Sequence, residues 1–542
     1  MIFSLIILLV VSRLGRARDT CSDFYVGDRN FTPRQNGLAL FGTFTMMTSF
    51  VALSDQIAFH GRHGVLLAAG FAVSWLVTLL LVAEPLRNTG SYTLGDTLSL
   101  RMRARPVRVA AGTVTLVVSF FYMTIQLVAA SNLLALLLGL ETGAARALIV
   151  LTVAGLTAMT VYYGGMRGTT WTQIINAVLL LAAVLVLAGA LLADYRFDVA
   201  RLFGDAVNGA TASSRNLSGP SLAGDGTPQP LELSSQLLTI MVGHAVLPYL
   251  FIRFLTVPNT RDVRRSVSWS IWLITPYYLL IVLIGFGAAA LVPLGGLVAP
   301  SGQRSPTVSL LAGELGGVPM RVFIASVVFT TIVAVTAGLV LVAAASFTRD
   351  IHLNLANSLR GGEQHEVAVS RRAVMVICLL LAGGAILLVD ANLAFLMSLD
   401  VTIAASSVFP ALLFAWFWRR FNTVGALCCL YGGIAVTLVL VTFSPAVSGD
   451  PLALFPDADF AYLPWRHVGL VTIPVSFLLG YLGAVISAER DDAKYAMMQV
   501  RALTGVGAAE AVAAGPALPD SEGVPGVPAR SRRRLPWQRH RY

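Results

Sequence analysis

Charge is what this sequence has least of: 12% of its residues are charged, where a soluble domain carries roughly 25%. Apolar residues take the place of charge, at 56% of the chain with a mean hydropathy of +0.75. Charge-free runs of about 20 residues recur from end to end, each long enough to cross a ~30 Å hydrocarbon layer. A soluble enzyme is excluded, and an all-α polytopic membrane protein is predicted.

Other scarcities remove further chemistries. Lys494 is the only lysine among 38 basic residues, and it stands between Ala493 and Tyr495. A phosphate-cradling loop ending in Gly-Lys-Ser/Thr is therefore absent, and with it an ATP-driven pump. The one His-Glu pair, His365-Glu366, continues as Val-Ala-Val, which rules out the His-Glu-x-x-His helix of a metalloprotease. Four cysteines, Cys21, Cys378, Cys428 and Cys429, give neither a disulfide framework nor a metal spacing and read as packing residues. The net charge of +10 comes without a basic stripe interleaved with aromatics, so nucleic acid is no partner. The chain is read as no enzyme and as needing no cofactor.

Thirteen apolar segments are present, starting near Met1, Gln35, Gly64, Val109, Ala147, Thr169, Leu233, Ser266, Pro319, Ala373, Ala391, Thr423 and His467. Met1 to Val11 is too short to span and precedes Arg13, Arg16 and Arg18, so it reads as the inner end of a first helix starting upstream of Met1. With the N-terminus outside, only Arg62, Arg146, Arg196, Arg201, Arg215, Arg304, Arg321 and Arg466 fall on the outer side, leaving 30 of the 38 basic residues and the C-terminus in the cytoplasm. The positive-inside rule supports that orientation in a cell membrane. The stretches Asp194 to Glu232 and Val292 to Val318 read as outer surface connections, and Glu489 to Arg501 as a charged helix opening a largely disordered tail.

Two segments carry breaks. Segment 2 runs Gly42-Thr-Phe-Thr-Met-Met-Thr-Ser-Phe-Val-Ala-Leu-Ser-Asp55, rich in hydroxyls that can satisfy freed backbone groups, and segment 7 contains Gly243-His-Ala-Val-Leu-Pro248. Unwound backbone at depth is how transporters hold ions and substrates. Five segments separate the breaks, the spacing of an inverted five-plus-five repeat.

Several longer stretches are recognisable. Ser22-Asp-Phe-Tyr-Val-Gly-Asp-Arg29, Glu84-Pro-Leu-Arg-Asn-Thr-Gly-Ser-Tyr-Thr-Leu-Gly-Asp96 and Tyr163-Gly-Gly-Met-Arg-Gly-Thr-Thr-Trp-Thr-Gln173 resemble the sodium:solute symporter family, in particular its cation/acetate branch. So do Leu247-Pro248 followed by Ile252-Arg-Phe-Leu-Thr-Val-Pro258, and Arg501-Ala-Leu-Thr-Gly-Val-Gly507. The resemblance implies a LeuT-like bundle of about 13 helices. Its expected divisions are a short first helix and linker (1–34), a first repeat (35–193), an outer loop (194–232), a second repeat (233–418), two added helices (419–487) and a tail (488–542). It implies import of a small monocarboxylate such as acetate, propionate or pyruvate with Na+ or H+. It also implies the lipid bilayer as surroundings and admits a small membrane accessory protein. A non-transporting sensor or scaffold, or a symporter for another small solute such as an amino acid, is the alternative; the tail holds no recognisable kinase or receiver domain to support signalling.

Residue by residue, the resemblance places Ser49, Phe50, Tyr122, Gln126, His244 and Tyr249 around the substrate. Tyr122 and Gln126 share one helix face at i and i+4. Arg253 is an alternative anion partner, but its position near the inner end of segment 7 reads better as a positive-inside anchor. For the cation the resemblance offers the carbonyls of Thr48 and Val51, with Thr331, Ala334 and Val335 on segment 9. The family's usual hydroxyl pair is missing there; Thr336 and Thr331 are near enough to substitute, and proton coupling gains. Asp55 and Asp400 depart from the branch pattern. At ~1.5 Å per residue they lie roughly 9 and 13 Å inside the outer ends of segments 2 and 11, so that with His244 they form a candidate proton-handling gate.

Overall fold

The computed structural model describes residues 17–506 except 46–47, 139–141, 213–228, 293–305, 357–361, 390–392, 450–452, 454, 456 and 457. Within them the secondary structure is helical, apart from one isolated bridge between Ser448 and Phe455. A backbone in lipid must satisfy its own hydrogen bonds, which is why each apolar run closes into a helix. Among the described residues nine helices are long and apolar enough to span, and eleven when two bent pairs are each counted as one span. Segment 1 falls in 1–16, outside the described residues.

Segments 5 and 6 form one element, Gly143–Asp194, interrupted only at Gly165, where φ is 47° and ψ −142°. Fifty-two residues of straight helix would run about 78 Å, far more than the hydrocarbon layer, so the glycine divides two crossings. Segments 3, 4, 8 and 10 to 13 are Arg62–Thr89, Ala104–Leu138, Thr260–Leu291, Gly362–Leu387, Leu393–Phe417, Thr423–Thr442 and Gly469–Ile486.

Segment 9 is the axis of the bundle: the apolar window of Thr307–Leu355 is wholly buried. Its small residues Ala334, Ala337, Gly338, Ala343 and Ala344 let neighbouring backbones approach closely. The outward faces stay apolar, as at Leu80, Leu185, Leu279, Leu379 and Leu387, which suits contact with lipid.

Two loop readings need correction. The stretch after Asp194 contains the helix Val199–Ala212, whose Leu202 and Ala206 are buried and whose Phe203 packs on Phe286 of segment 8 at 4.8 Å between ring centroids. The polar composition of its surroundings masked that apolar stripe. The stretch before Pro319 holds a short helix that begins at Thr307, and Gly316 and Gly317, the latter at φ 61°, divide it from the helix of segment 9. The charged stretch opening the tail is a helix over Asp492–Thr504.

Candidate functional site

Segment 2 starts with Pro33–Phe44, capped reciprocally by Thr32 and Gln35. It resumes as Ser49–His60 after a turn of 65°. The hydroxyls of Thr43, Thr45 and Ser54 donate to the carbonyls of Ala39, Phe41 and Phe50 at 2.6 Å, occupying backbone groups around the bend. Segment 7 bends by 41° between Pro230–Val246 and Pro248–Phe254. Leu247 is extended because a residue before proline avoids the helical region, and Pro248 opens the second half at its first position.

Against the segment 7 break lie segments 4 and 11. Tyr122 stacks on Tyr249 with centroids 5.4 Å apart and planes at 15°. Gly243 is pressed on segment 11 so closely that a Cβ there would stand 2.5 Å from the carbonyl oxygen of Val401. The neighbouring Asp400 is fully buried, near enough to Tyr122 and Tyr249 for its charge to act on both hydroxyls. Neither oxygen of Asp400 and neither polar atom of the Gln126 amide meets another side chain in a hydrogen bond among the described residues, and the Tyr249 hydroxyl faces only that of Tyr122. Buried polar groups in native proteins are ordinarily satisfied, so this cluster has the chemistry of a site awaiting a polar occupant.

The other predicted substrate residues make different side-chain contacts. Phe50 is buried in the wide turn Thr48–Ala52, and the Ser49 hydroxyl lies 3.4 Å from that of Tyr277. His244 turns toward segments 2 and 3, its ring 4.7 Å from Phe71 and 5.8 Å from Phe44, with Nδ1 3.1 Å from the carbonyl of Ile240. Asp55, half-buried, accepts from the Thr307 amide at 2.9 Å and from its hydroxyl at 2.5 Å, at the start of the short helix that precedes segment 9. A carboxylate is favoured at a helix N-terminus. Asp55, Asp400 and His244 thus have three different sets of neighbours, and the structure does not bring them together as one group.

The candidate cation residues of segment 9 are buried, with their polar atoms engaged. Thr336 donates to Ile332 at 2.7 Å; Thr331 donates to Asn176 Oδ1 at 2.7 Å or to Val327 at 2.9 Å. The Ala334 carbonyl accepts from Gln173 Nε2 at 3.3 Å, while Val335 and Val51 present apolar side chains to the core. Of Thr48 the backbone lies in the wide turn. Arg253 is no surface anchor: it is 1% exposed, donating from Nη1 to Thr170 Oγ1 at 2.5 Å and from Nη2 to Gln173 Oε1. Counting arginines by loop misread it, because the short half-helix after Pro248 carries the side chain inward. Thr170 and Gln173 lie in a stretch recognisable in the sequence, but neither they nor Asn176 are among the predicted site residues, although polar residues at i, i+3 and i+6 in an apolar run mark one helix face.

A second missed cluster closes the end of the bundle richest in arginine, the basic end. Arg108 reaches Asp96 at 2.8 Å and Asp350 at 3.7 Å, and Arg349 reaches Glu366 at 2.7 Å and Asp96 at 3.8 Å. Burial pushes the Asp96 carboxyl up, but Arg108, Arg349 and the amides of Tyr92 and Thr93 outweigh it and hold the group below its ordinary value. Asp96 therefore stays ionised at neutral pH and keeps both arginines paired.

Two broken helices inside a buried helical bundle are the arrangement by which secondary transporters hold ions and substrates. Solved structures of that class share the fold: a Na+-coupled sialic acid symporter, substrate-bound and outward-open, aligns with a TM-score of 0.71 at 14% identity over 91% of this chain and 98% of its own. MhsT in complex with L-phenylalanine aligns at 0.50 and 14% identity over 83% and 98%. Identities this low speak for the LeuT-like fold alone. The family model of the sodium:solute symporter family matches residues 24–433, and the chain belongs to that family. It is 38% identical to the monocarboxylic acid transporter of Corynebacterium glutamicum over 94% of this chain and 95% of that one. It is 36% identical to the uncharacterised symporter YwcA of Bacillus subtilis over 92% and 96%. The protein is a multi-pass membrane symporter of solutes.

Proposed function

We propose that the chain imports a short monocarboxylate, such as acetate, propionate or pyruvate, together with a proton. The observation that carries this reading is the Asp400 carboxyl group, buried without a side-chain partner near Tyr122, Tyr249 and the segment 7 break. A substrate carboxylate entering that cluster meets a second carboxylate, and two such groups in one buried site cannot both ionise easily. Bound substrate therefore retains a proton on Asp400, which makes the anion and the proton travel together. The Corynebacterium relative, a monocarboxylic acid transporter by name, supports the substrate class. The reading includes a plasma-membrane location with the N-terminus outside and the C-terminus in the cytoplasm, supported by the distribution of arginine.

Uptake of labelled acetate, propionate, pyruvate and proline into proteoliposomes under an imposed pH gradient tests it. Accumulation of at least one carboxylate, with a pH dependence that Asp400→Asn flattens, is the expected result. Failure of every carboxylate to accumulate sinks the transport reading, and an Asp400→Asn variant with the wild-type pH profile sinks the role of Asp400.

A further inference from the structure

Arg253 is a buried cation in a membrane bundle, and among the described residues no carboxylate lies within ion-pair distance and no acidic group acts on it. Its guanidinium is held by two neutral acceptors, Thr170 and Gln173. Buried charges are costly unless paired or put to use, so the geometry around this one has to explain its retention.

An arginine can only donate and a peptide carbonyl can only accept, and these two facts fix the amide of Gln173. Its Oε1 must face Arg253, and its Nε2 must face the Ala334 carbonyl 3.3 Å away on segment 9. A chain of hydrogen bonds, its dipoles aligned with the guanidinium charge, runs in this way from segment 7 through segment 6 to segment 9. One turn along, Asn176 repeats the arrangement. It takes the Thr331 hydroxyl on Oδ1 at 2.7 Å and donates from Nδ2 to the Gly42 carbonyl at 3.1 Å, beside the segment 2 bend. Two glycines make the fit. A Cβ at Gly338 would stand 2.5 Å from Gln173 Nε2, and one at Gly42 would stand 2.2 Å from the Gln173 carbonyl oxygen. The carbonyls of Ala334 and Gly42 thus point at N–H donors, while a hard cation requires several open oxygens.

We propose that Arg253 is a tethered cation: it, rather than an exchangeable metal ion, supplies the positive charge between segments 2, 6, 7 and 9, and no sodium ion binds there. The inference rests on the symport reading and deepens it, because a fixed guanidinium leaves the proton as the exchangeable partner of the transported carboxylate. It departs from what the family name suggests, and the departure lies in the chemistry of the donor set.

Wild-type protein in proteoliposomes, with a pH gradient imposed, is assayed for labelled acetate and pyruvate in sodium or in choline, and radioactive sodium binding to the purified protein is measured separately. Equal uptake in both salts and no sodium binding are expected for the wild type. Arg253→Gln should lose uptake by roughly tenfold or more, the scale of a lost charge-assisted hydrogen bond. It should also gain measurable sodium binding, since the released Gln173 amide can turn its oxygen toward the cluster. Thr170→Asp gives the guanidinium a carboxylate while leaving the Gln173 amide on the Ala334 carbonyl; it should lose uptake comparably, by neutralising the tethered charge. Sodium binding to the wild type, wild-type uptake that collapses in choline, or wild-type rates in either variant would overturn the proposal. If no carboxylate is taken up at all, the transport reading fails, while the sodium-binding comparison still decides the tethered cation.

Discussion

Gln126 carries an amide whose oxygen and nitrogen are both buried without a partner among the described residues. Leaving such a group unsatisfied costs about 1–3 kcal/mol, and a fold gains nothing from that cost unless another molecule meets the amide. Gln126→Leu, close in size and apolar, should therefore raise the thermal unfolding midpoint of the substrate-free protein while raising the KM for uptake. The two readouts oppose each other only if the amide faces a ligand, a common trade between stability and function. Unchanged KM together with unchanged stability would make Gln126 an ordinary helix-packing residue. Tyr122, on the same face, differs in kind, because its stack on Tyr249 already packs both rings without an occupant.

Helix breaks are elements that the sequence shows well, since Gly243, Pro248 and the hydroxyls around Thr43 and Thr45 announce them by composition alone. What a break packs against is less visible, because partner identity depends on tertiary approach. The small residue at Gly243 reads equally as a kink or as a contact until segment 11 is seen 2.5 Å from its missing Cβ. Arg253 shows the same limit, since its position along the chain suggested an inner rim and its depth could be known only from the bend. The partner of Asp55 is the amide of Thr307, in a stretch that the flanking Gly and Pro residues disguised as loop. Gly243→Ala should destabilise by about 1–3 kcal/mol, the usual cost of overpacking, because the obstructing atom is backbone and cannot rotate away. Gly189→Ala is the matched control. Nothing lies within 4 Å of its Cβ position, and alanine gains about 1 kcal/mol over glycine in a helix interior. Thermal unfolding of both variants checks the pair, and equal effects at the two positions would argue against a tight contact between segments 7 and 11.

At the scale of the whole molecule the polar cluster at Tyr122, Tyr249 and Asp400 is buried from both sides, so each end of the bundle needs a fastening that can release in turn. At one end the Asp55 carboxylate holds, through Thr307, the short helix that leads into segment 9. At the basic end Asn88, closing segment 3, donates to the Ala502 carbonyl at 2.8 Å and accepts from Thr260 at 2.6 Å, tying the C-terminal helix to segments 3 and 8; Arg501 returns a bond to the Asn88 carbonyl at 2.8 Å. Asn88→Ala removes two side-chain hydrogen bonds worth about 1 kcal/mol each. If those bonds hold the closed state, the population open at the basic end should rise by roughly tenfold or more. Thr115 lines a small cavity on that side with Thr93, Pro248 and Phe251, and its own hydroxyl has no partner among the described residues, which suits it to carry a cysteine probe. In a background with Cys21, Cys378, Cys428 and Cys429 replaced, Thr115→Cys should react faster with an impermeant thiol reagent when Asn88→Ala is added. Asp55→Ala should slow the same reaction, because loosening the opposite fastening favours opening on the other side and draws population away from this one. Opposite signs in the two variants are what alternating closure requires; the same sign in both, or no change in either, would mean that these contacts hold the bundle together without gating it.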